Sequence, residues 1–329
     1  MADLRAGLIG LGMMGRHHAR VLRSLPGVEL AAVADAGGDP HGVAGGLTVG
    51  QDVQHLIAAG LDYAVVAVPT VYHEPVALAL AEAGVHAIIE KPLAQDTASA
   101  ERVADAFASR GLVGAVGHIE RYNPSLQHLR ARLEHGELGD VYQVVTRRQG
   151  PFPARIADVG VVKDLATHDI DLTAWVTQSP FLSVAAQTAL KSGREHEDLV
   201  AVVGKLADGT VTSHLVNWLS PLKERVTVVT GERGTFVADT LTADLTYYAN
   251  GTVPTTWGSL AAFRGVSEGD MVRYAIPKPE PLRTEHEAFR DAVLGKDADI
   301  VTMSDGLATV RVAEAVLRSA ETGETVHLR

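Results

Sequence analysis

RAGLIGLGMMGRHHA, residues 5–19, decides the fold: an apolar run ends on Gly10, Gly12 and Gly15 and passes directly into a helical pattern through His18 and Leu22. A strand, a G-x-G-x-x-G turn and a helix in that order form the phosphate-binding unit of a dinucleotide fold. The first glycine permits the tight turn, the second lets backbone approach a pyrophosphate, and the third lets helix and strand pack closely. The helix N-terminus then faces the negative charge. The next apolar run, VELAAVAD, places Asp35 about 20 residues beyond Gly15, where a carboxylate can accept hydrogen bonds from ribose hydroxyls. No adjacent arginine is there to absorb the charge of a 2'-phosphate, so the expected cofactor is NAD rather than NADP.

Working outward, RAGLIG, VELAAVAD, LTVG, YAVVAVP, VHAIIEKP and LVGAVGH alternate with helical spacers. Continuous apolar runs such as Ala64 to Val68 predict strands buried on both faces, joined by right-handed crossovers. The expectation for residues 1–120 is an α/β Rossmann domain, a doubly wound parallel sheet, with Gly10, Gly12, Met13, Met14, Gly15 and Asp35 on the cofactor. Ligands of such sheets lie at the carboxyl ends of the strands. Pro69 and Thr70 follow the fourth strand, with His73 opening the next helix as a cofactor contact or a mere capping residue. Glu90, Lys91 and Pro92 end the fifth. Proline biases Lys91 toward extended geometry and aims its ammonium into the cofactor cleft, unless the pair is only a solvated loop.

Beyond residue 120 the pattern changes to longer strands at 139–148, 181–191, 197–206, 210–218, 222–230, 234–248 and 270–276, with Ala207-Asp208-Gly209-Thr210 as a hairpin signal. Residues 121–329 are expected to form an α+β domain with a large open antiparallel sheet. The proline-rich IPKPEP then precedes two closing helices at 282–294 and 304–322.

GVVKDLATHDIDL, residues 160–172, sets Asp164 and His168 four apart in an apolar helix. A carboxylate and an imidazole on one face can cooperate in proton transfer, or they can be a buried ion pair. Asp169 and Asp171 extend the cluster toward a metal-site composition, but they fall on other faces and a hydride mechanism needs no Lewis acid, so no metal is expected. Arg121, Arg147, Arg148 and Arg155 concentrate positive charge near the domain junction, as a diphosphate ligand would require. Tyr122 and Asn123 beside them are placed either to contact a sugar or to finish the crossover between domains.

The whole chain of 329 residues carries a formal net charge of -11 and no cysteine. That argues against a general nucleic-acid or anionic-membrane binder and excludes disulfides and thiolate metal sites. The start MADLRAGLIGLG lacks the layout of a signal peptide, and no run approaches the ~18 apolar residues of a membrane span. A cytoplasmic protein is expected.

With GLGMMGRHHA, the strand-end EKP and DLATHDIDL in this order, the chain resembles, over nearly its whole length, the Gfo/Idh/MocA oxidoreductases. The resemblance implies NAD or NADP as cofactor, sugar or cyclitol substrates, and an open sheet buried between subunits of a homodimer or homotetramer. It implies that Lys91, Asp164 and His168 are catalytic, His168 as the base, and that Lys91, Asp164 and His168 contact substrate, with Arg121, Tyr122, Asn123, Arg148 and Arg155 as further substrate-binding candidates. The wording of GHIERYNP (117–124) and GPFPARIADVGVVKDLATHDIDL (150–172) is similar to the UDP-N-acetylglucosamine 3-dehydrogenases of this family. The implied function is hydride transfer between C3 of a nucleotide-linked hexose and the nicotinamide. Inositol dehydrogenase and ketosugar reductase are the alternatives within the class. A non-catalytic dinucleotide-sensing regulator is the alternative outside it, since fold alone does not fix function; the presence of all three candidate catalytic residues speaks against it.

Overall fold

The computed structural model describes residues 3–152, 159–251 and 267–328, so Arg155 lies outside the described residues. The chain divides into two compact units, Met1–Ile119 with Pro279–Glu314, and Glu120–Lys278 with Ala315–Arg329.

The first unit is built on strands β1 (Leu4–Ile9), β2 (Val28–Ala34), β3 (Val49–Gly50), β4 (Tyr63–Val66), β5 (His86–Glu90) and β6 (Gly114–Gly117), with helices α1 (Met13–Ser24), α2 (Val53–Ala58), α3 (His73–Glu82) and α4 (Thr97–Ala108) between them. The strands run in the order β3-β2-β1-β4-β5-β6, and every neighbouring pair is parallel. All four residues of β4 are buried, as continuous apolar runs covered on both faces require. The order reverses between β1 and β4. That switch point is where an open α/β sheet leaves a crevice, and the glycine turn after β1 stands at its carboxyl edge.

The second unit carries a nine-stranded sheet: β7 (Val141–Pro151), β8 (Phe181–Ala189), β9 (Leu199–Leu206), β10 (Val211–Asn217), β11 (Leu219–Gly231), β12 (Gly234–Asp239), β13 (Asp244–Gly251), β14 (Ser267–Arg273) and β15 (Val326–His327). Their order is β14-β13-β12-β11-β7-β10-β9-β8-β15. The sheet is mixed rather than purely antiparallel, because β10 lies parallel to β7; the other pairings are antiparallel. Between β9 and β10, Leu206 donates its N–H to Thr210 O at 2.9 Å and Gly209 supplies a φ of 95°. The stretch 234–248, expected as one strand, is two: Asp239 Oδ1 accepts from Leu241 N at 2.8 Å and Ala243 turns the chain at a φ of 54°. Helices α5 (Pro124–Glu134) and α6 (Thr167–Thr177) cover one face. Leu126 and Leu129 from α5, with Leu172 and Trp175 from α6, pack there on Val144, Val229 and Phe236 of the sheet.

Two C-terminal helices follow, α7 (Pro281–Val293) and α8 (Met303–Thr322). The sequence placed both in the second domain, whereas Pro279–Glu314 belongs to the first unit. Phe289 of α7 joins the core of Leu8, Leu22, Tyr63 and Ile88, its ring 5.4 Å from that of Tyr63. Amphipathic spacing shows that a helix has a face to bury; it does not say against which sheet.

Candidate active site

In the first unit the three glycines differ in what surrounds them. A Cβ on Gly15 would overlap Gly10 O, and one on Gly10 would overlap the backbone at Ala67, so these two glycines serve packing. At Gly12 a Cβ would meet nothing within 4 Å. Gly12 also caps α1 without a side-chain hydrogen bond. Uncapped N–H groups of a first helical turn beside open space suit a pyrophosphate, with Met13 and Met14 in that turn. Asp35 Oδ2 accepts from Leu11 N at 2.6 Å and Oδ1 from Gly37 N at 2.7 Å. Its carboxylate thus pins the phosphate turn to the end of β2, and the remaining lone pairs can serve a ribose.

The strand ends of β4 and β5 are tied by His73. The ring is fully buried, with Nδ1 2.8 Å from Pro92 O and Nε2 2.9 Å from Val68 O. This corrects the expected cofactor contact: the side chain has no exposure, and a backbone carbonyl stands against each ring nitrogen. Glu90 is likewise buried. Its Oε1 accepts from His18 Nε2 at 2.8 Å, and its Oε2 from Lys91 N at 3.2 Å. Burial alone would raise Glu90, but the hydrogen bond and charge of His18, together with Lys91, hold it below the ordinary carboxylate range. His18 Nδ1 meets His286 Nε2 of α7 at 2.8 Å. The neighbouring Glu285 is buried with both oxygens lacking a hydrogen-bond partner among the described residues. Burial, then repulsion from Glu90, pushes it well above its ordinary value. Burial and His18 push His286 well down. Sequence reading missed this cluster. Its faint signal was polar residues inside helices whose spacing calls for apolar ones.

In the second unit, α6 is entered through a wide turn over Val162–Ala166, in which Thr167 N donates to Val162 O five residues back. Such π turns recur at functional sites. Glu197 holds the entry, its backbone O accepting from Val161 N at 2.9 Å and its carboxylate from Val162 N at 3.0 Å. Asp164 lies in the wide turn and His168 in the first turn of α6, both nearly buried.

The same helix is bolted down by its other acids. Asp169 Oδ2 accepts from Arg148 Nε at 2.8 Å. Arg148 Nη1 also donates to Glu120 Oε1 at 2.9 Å. Asp171 is bidentate with Arg121 at 2.9 and 2.7 Å. Burial opposes the Arg148 charge, yet Asp169 and Glu120 outweigh it and keep the guanidinium above its ordinary value. Two of the four arginines expected to grip a diphosphate, Arg121 and Arg148, are therefore engaged by internal carboxylates. Asn123, expected near the sugar, caps α5: its Oδ1 accepts from Ser125 N at 3.1 Å and its Nδ2 donates to Thr240 O at 3.0 Å. Tyr122 is buried beside it. Among the described residues no cluster of three or more His, Asp or Glu has metal-site geometry, and no helix is long and apolar enough to cross a membrane.

A dinucleotide turn at a sheet switch point and a carboxylate–imidazole helix on a second sheet define the class of nucleotide-dependent oxidoreductases. Residues 4–118 match the model described as oxidoreductase family, NAD-binding Rossmann fold, and residues 126–237 match the GFO/IDH/MocA C-terminal domain. The chain belongs to the GFO/IDH/MocA family of NAD-dependent sugar oxidoreductases. It is 30% identical over 323 residues to the UDP-N-acetylglucosamine 3-dehydrogenase of Acidithiobacillus ferrooxidans, covering 97% of this chain and 96% of that one. It is 28% identical over 343 residues to inositol 2-dehydrogenase 2 of Saccharopolyspora erythraea, covering 98% and 94%. The structure of GenD2 from gentamicin A biosynthesis, in complex with NAD, superposes with a TM-score of 0.82 at 28% identity, over 100% of this chain and 97% of that one.

Proposed function

We propose that this enzyme oxidises a secondary hydroxyl of a nucleotide-linked sugar, at C3 of a hexose such as UDP-N-acetylglucosamine. The observation that carries the reading is the presence, in one chain, of the open Gly12 turn, the strand-end Lys91 and the Asp164–His168 pair, in a sequence matching a UDP-N-acetylglucosamine 3-dehydrogenase along nearly its full length. NAD, held by Gly10, Gly12, Met13, Met14, Gly15 and Asp35 near Pro69 and Thr70, would accept the hydride. His168 takes the hydroxyl proton, because a neutral imidazole titrates near working pH. Asp164 orients that ring or the hydroxyl and stabilises the imidazolium. Lys91 lowers the cost of the developing alkoxide through its positive charge. Glu90, buried under Lys91, acts as support rather than as a cofactor contact.

The test is reduced-nicotinamide absorbance with NAD and, separately, UDP-N-acetylglucosamine, free N-acetylglucosamine and myo-inositol. Turnover with the nucleotide sugar, reduced about 10²- to 10⁴-fold in His168→Ala and lost in Lys91→Met while NAD still binds, is the expected result. Unchanged turnover in His168→Ala removes it as the base. Turnover of myo-inositol alone favours the cyclitol reading, which the name of the inositol dehydrogenase relative supports.

The reading extends to a homodimer or homotetramer. On the sheet face opposite α5 and α6, Val203, Ser213, Val145, Val228 and Val237 stand side by side across five strands. Such an apolar row is suited to burial against a second copy. A monomeric mass at micromolar concentration would refute it.

A further inference from the structure

The second unit holds a cation that its own carboxylates do not saturate. Arg225 on β11 pairs in register with Arg148 on β7, so two guanidiniums stand opposite each other across neighbouring strands. Like charges so placed repel unless anions intervene. Arg148 takes both nearby anions, donating to Asp169 at 2.8 Å and to Glu120 at 2.9 Å. Arg225 is left 3.8 Å from Glu120 Oε1, beyond hydrogen-bond reach. Among the described residues its guanidinium donates to no acceptor, although its side chain is only 25% exposed. Burial, then Arg148, works against its charge, while Glu120, Asp169 and Asp164 support it. Asp164 is therefore among the charges that act on Arg225. No nitrogen of Arg225 is among the buried side-chain atoms that lack a partner, so its donors stay open to solvent and to a ligand.

We infer that Arg225 is the anion-binding residue of the substrate site, its planar fork of donors taking a phosphate or carboxylate group carried by the sugar and seating it on the Asp164 side of the second unit. This names the substrate class as an anionic sugar and rests on the dehydrogenase reading above. It also assigns to Arg225 the grip that the sequence assigned to the cluster of Arg121, Arg147, Arg148 and Arg155. A planar guanidinium matches either oxyanion with two parallel hydrogen bonds, which a lysine at this position would not.

The experiment is calorimetric titration of the NAD-loaded protein with UDP, with glucuronate and with myo-inositol, for the wild type, Arg225→Gln and Arg225→Lys. The expected result is binding of UDP or glucuronate to the wild type, weakened about 10- to 100-fold in Arg225→Gln and several-fold in Arg225→Lys, with NAD affinity and melting temperature unchanged. Binding of UDP alone identifies a phosphate as the anion; binding of glucuronate alone identifies a sugar carboxylate. Equal anion affinity in wild type and variants overturns the inference. Arg225→Lys keeps the charge facing Glu120 and decides the matter if Arg225→Gln does not fold. A wild type that binds neither anion, yet turns over myo-inositol, overturns the inference and leaves the dehydrogenase standing. Failure to bind NAD removes the dehydrogenase reading itself.

Discussion

Each unit buries titratable side chains close to a candidate catalytic residue, and the two do so by opposite means. Next to Lys91, His18, Glu90, Glu285 and His286 carry little net charge: burial drives Glu285 toward its protonated form and His286 toward its neutral one, leaving one carboxylate hydrogen-bonded to His18. Around Asp164 and His168 the charges are kept and matched, Arg148 with Asp169 and Glu120, Arg121 with Asp171. A group that can shed its charge escapes the desolvation cost by doing so. Arginine cannot, so its burial obliges the fold to bring carboxylates to it.

The largest effect expected from this contrast is in the second unit. Arg148→Met strands Asp169 and leaves Glu120, among the described residues, only the Arg225 cation at 3.8 Å, and breaking a buried pair in this way costs about 3–5 kcal/mol. Chemical denaturation should register the loss together with a lower melting temperature. A variant within about 0.5 kcal/mol of wild type would show that the pairs are not what holds α6 to β7. In the first unit the parallel change is milder. Glu90→Gln keeps one oxygen to accept from His18 or from Lys91 N, while turning the other acceptor into a donor and removing one charge, so a loss of about 1–2 kcal/mol is expected. A cost equal to that of Arg148→Met would erase the distinction between the clusters.

The smallest effect is a gain. The folded-state pKa of Glu285 lies above its unfolded value, so its contribution is fully present below about pH 4.3 and is lost as pH rises toward the folded value. His286, depressed by burial, behaves oppositely, losing its contribution as pH falls below about 6.5. Glu285→Gln removes the first of these alone. Its melting temperature relative to wild type should therefore climb between pH 5 and pH 8, by about 2–4 °C for each kcal/mol of relieved cost. A difference that does not change with pH would mean that Glu285 does not titrate on unfolding.

Much of the parallel-sheet half was legible because its signals are local. The Gly10–Gly15 turn, the buried β4 run and the Lys91–Pro92 strand end each lie within a few residues of the geometry they specify. Asp164 and His168 could be named as candidates for the same reason, although the wide turn that carries Asp164 was not legible, since no residue pattern distinguishes it from an ordinary helical start. Arg148 shows where such reading stops. Its place in an acidic chain beside Arg147 suggested a ligand, but its partners Asp169 and Glu120 are 21 and 28 residues away.

By itself, then, the sequence determined the dinucleotide turn and the alternation of strands and helices around it, because backbone sterics and side-chain periodicity act over one turn or one strand. Only the tertiary structure decided that α7 returns to the first sheet, that β7 and β10 run parallel, and that Arg121 and Arg148 are hydrogen-bonded by internal carboxylates while Arg225 stands 3.8 Å from Glu120. Those outcomes depend on which buried charges meet across distant segments, and the electrostatic cost of burial is settled only when the segments are in contact.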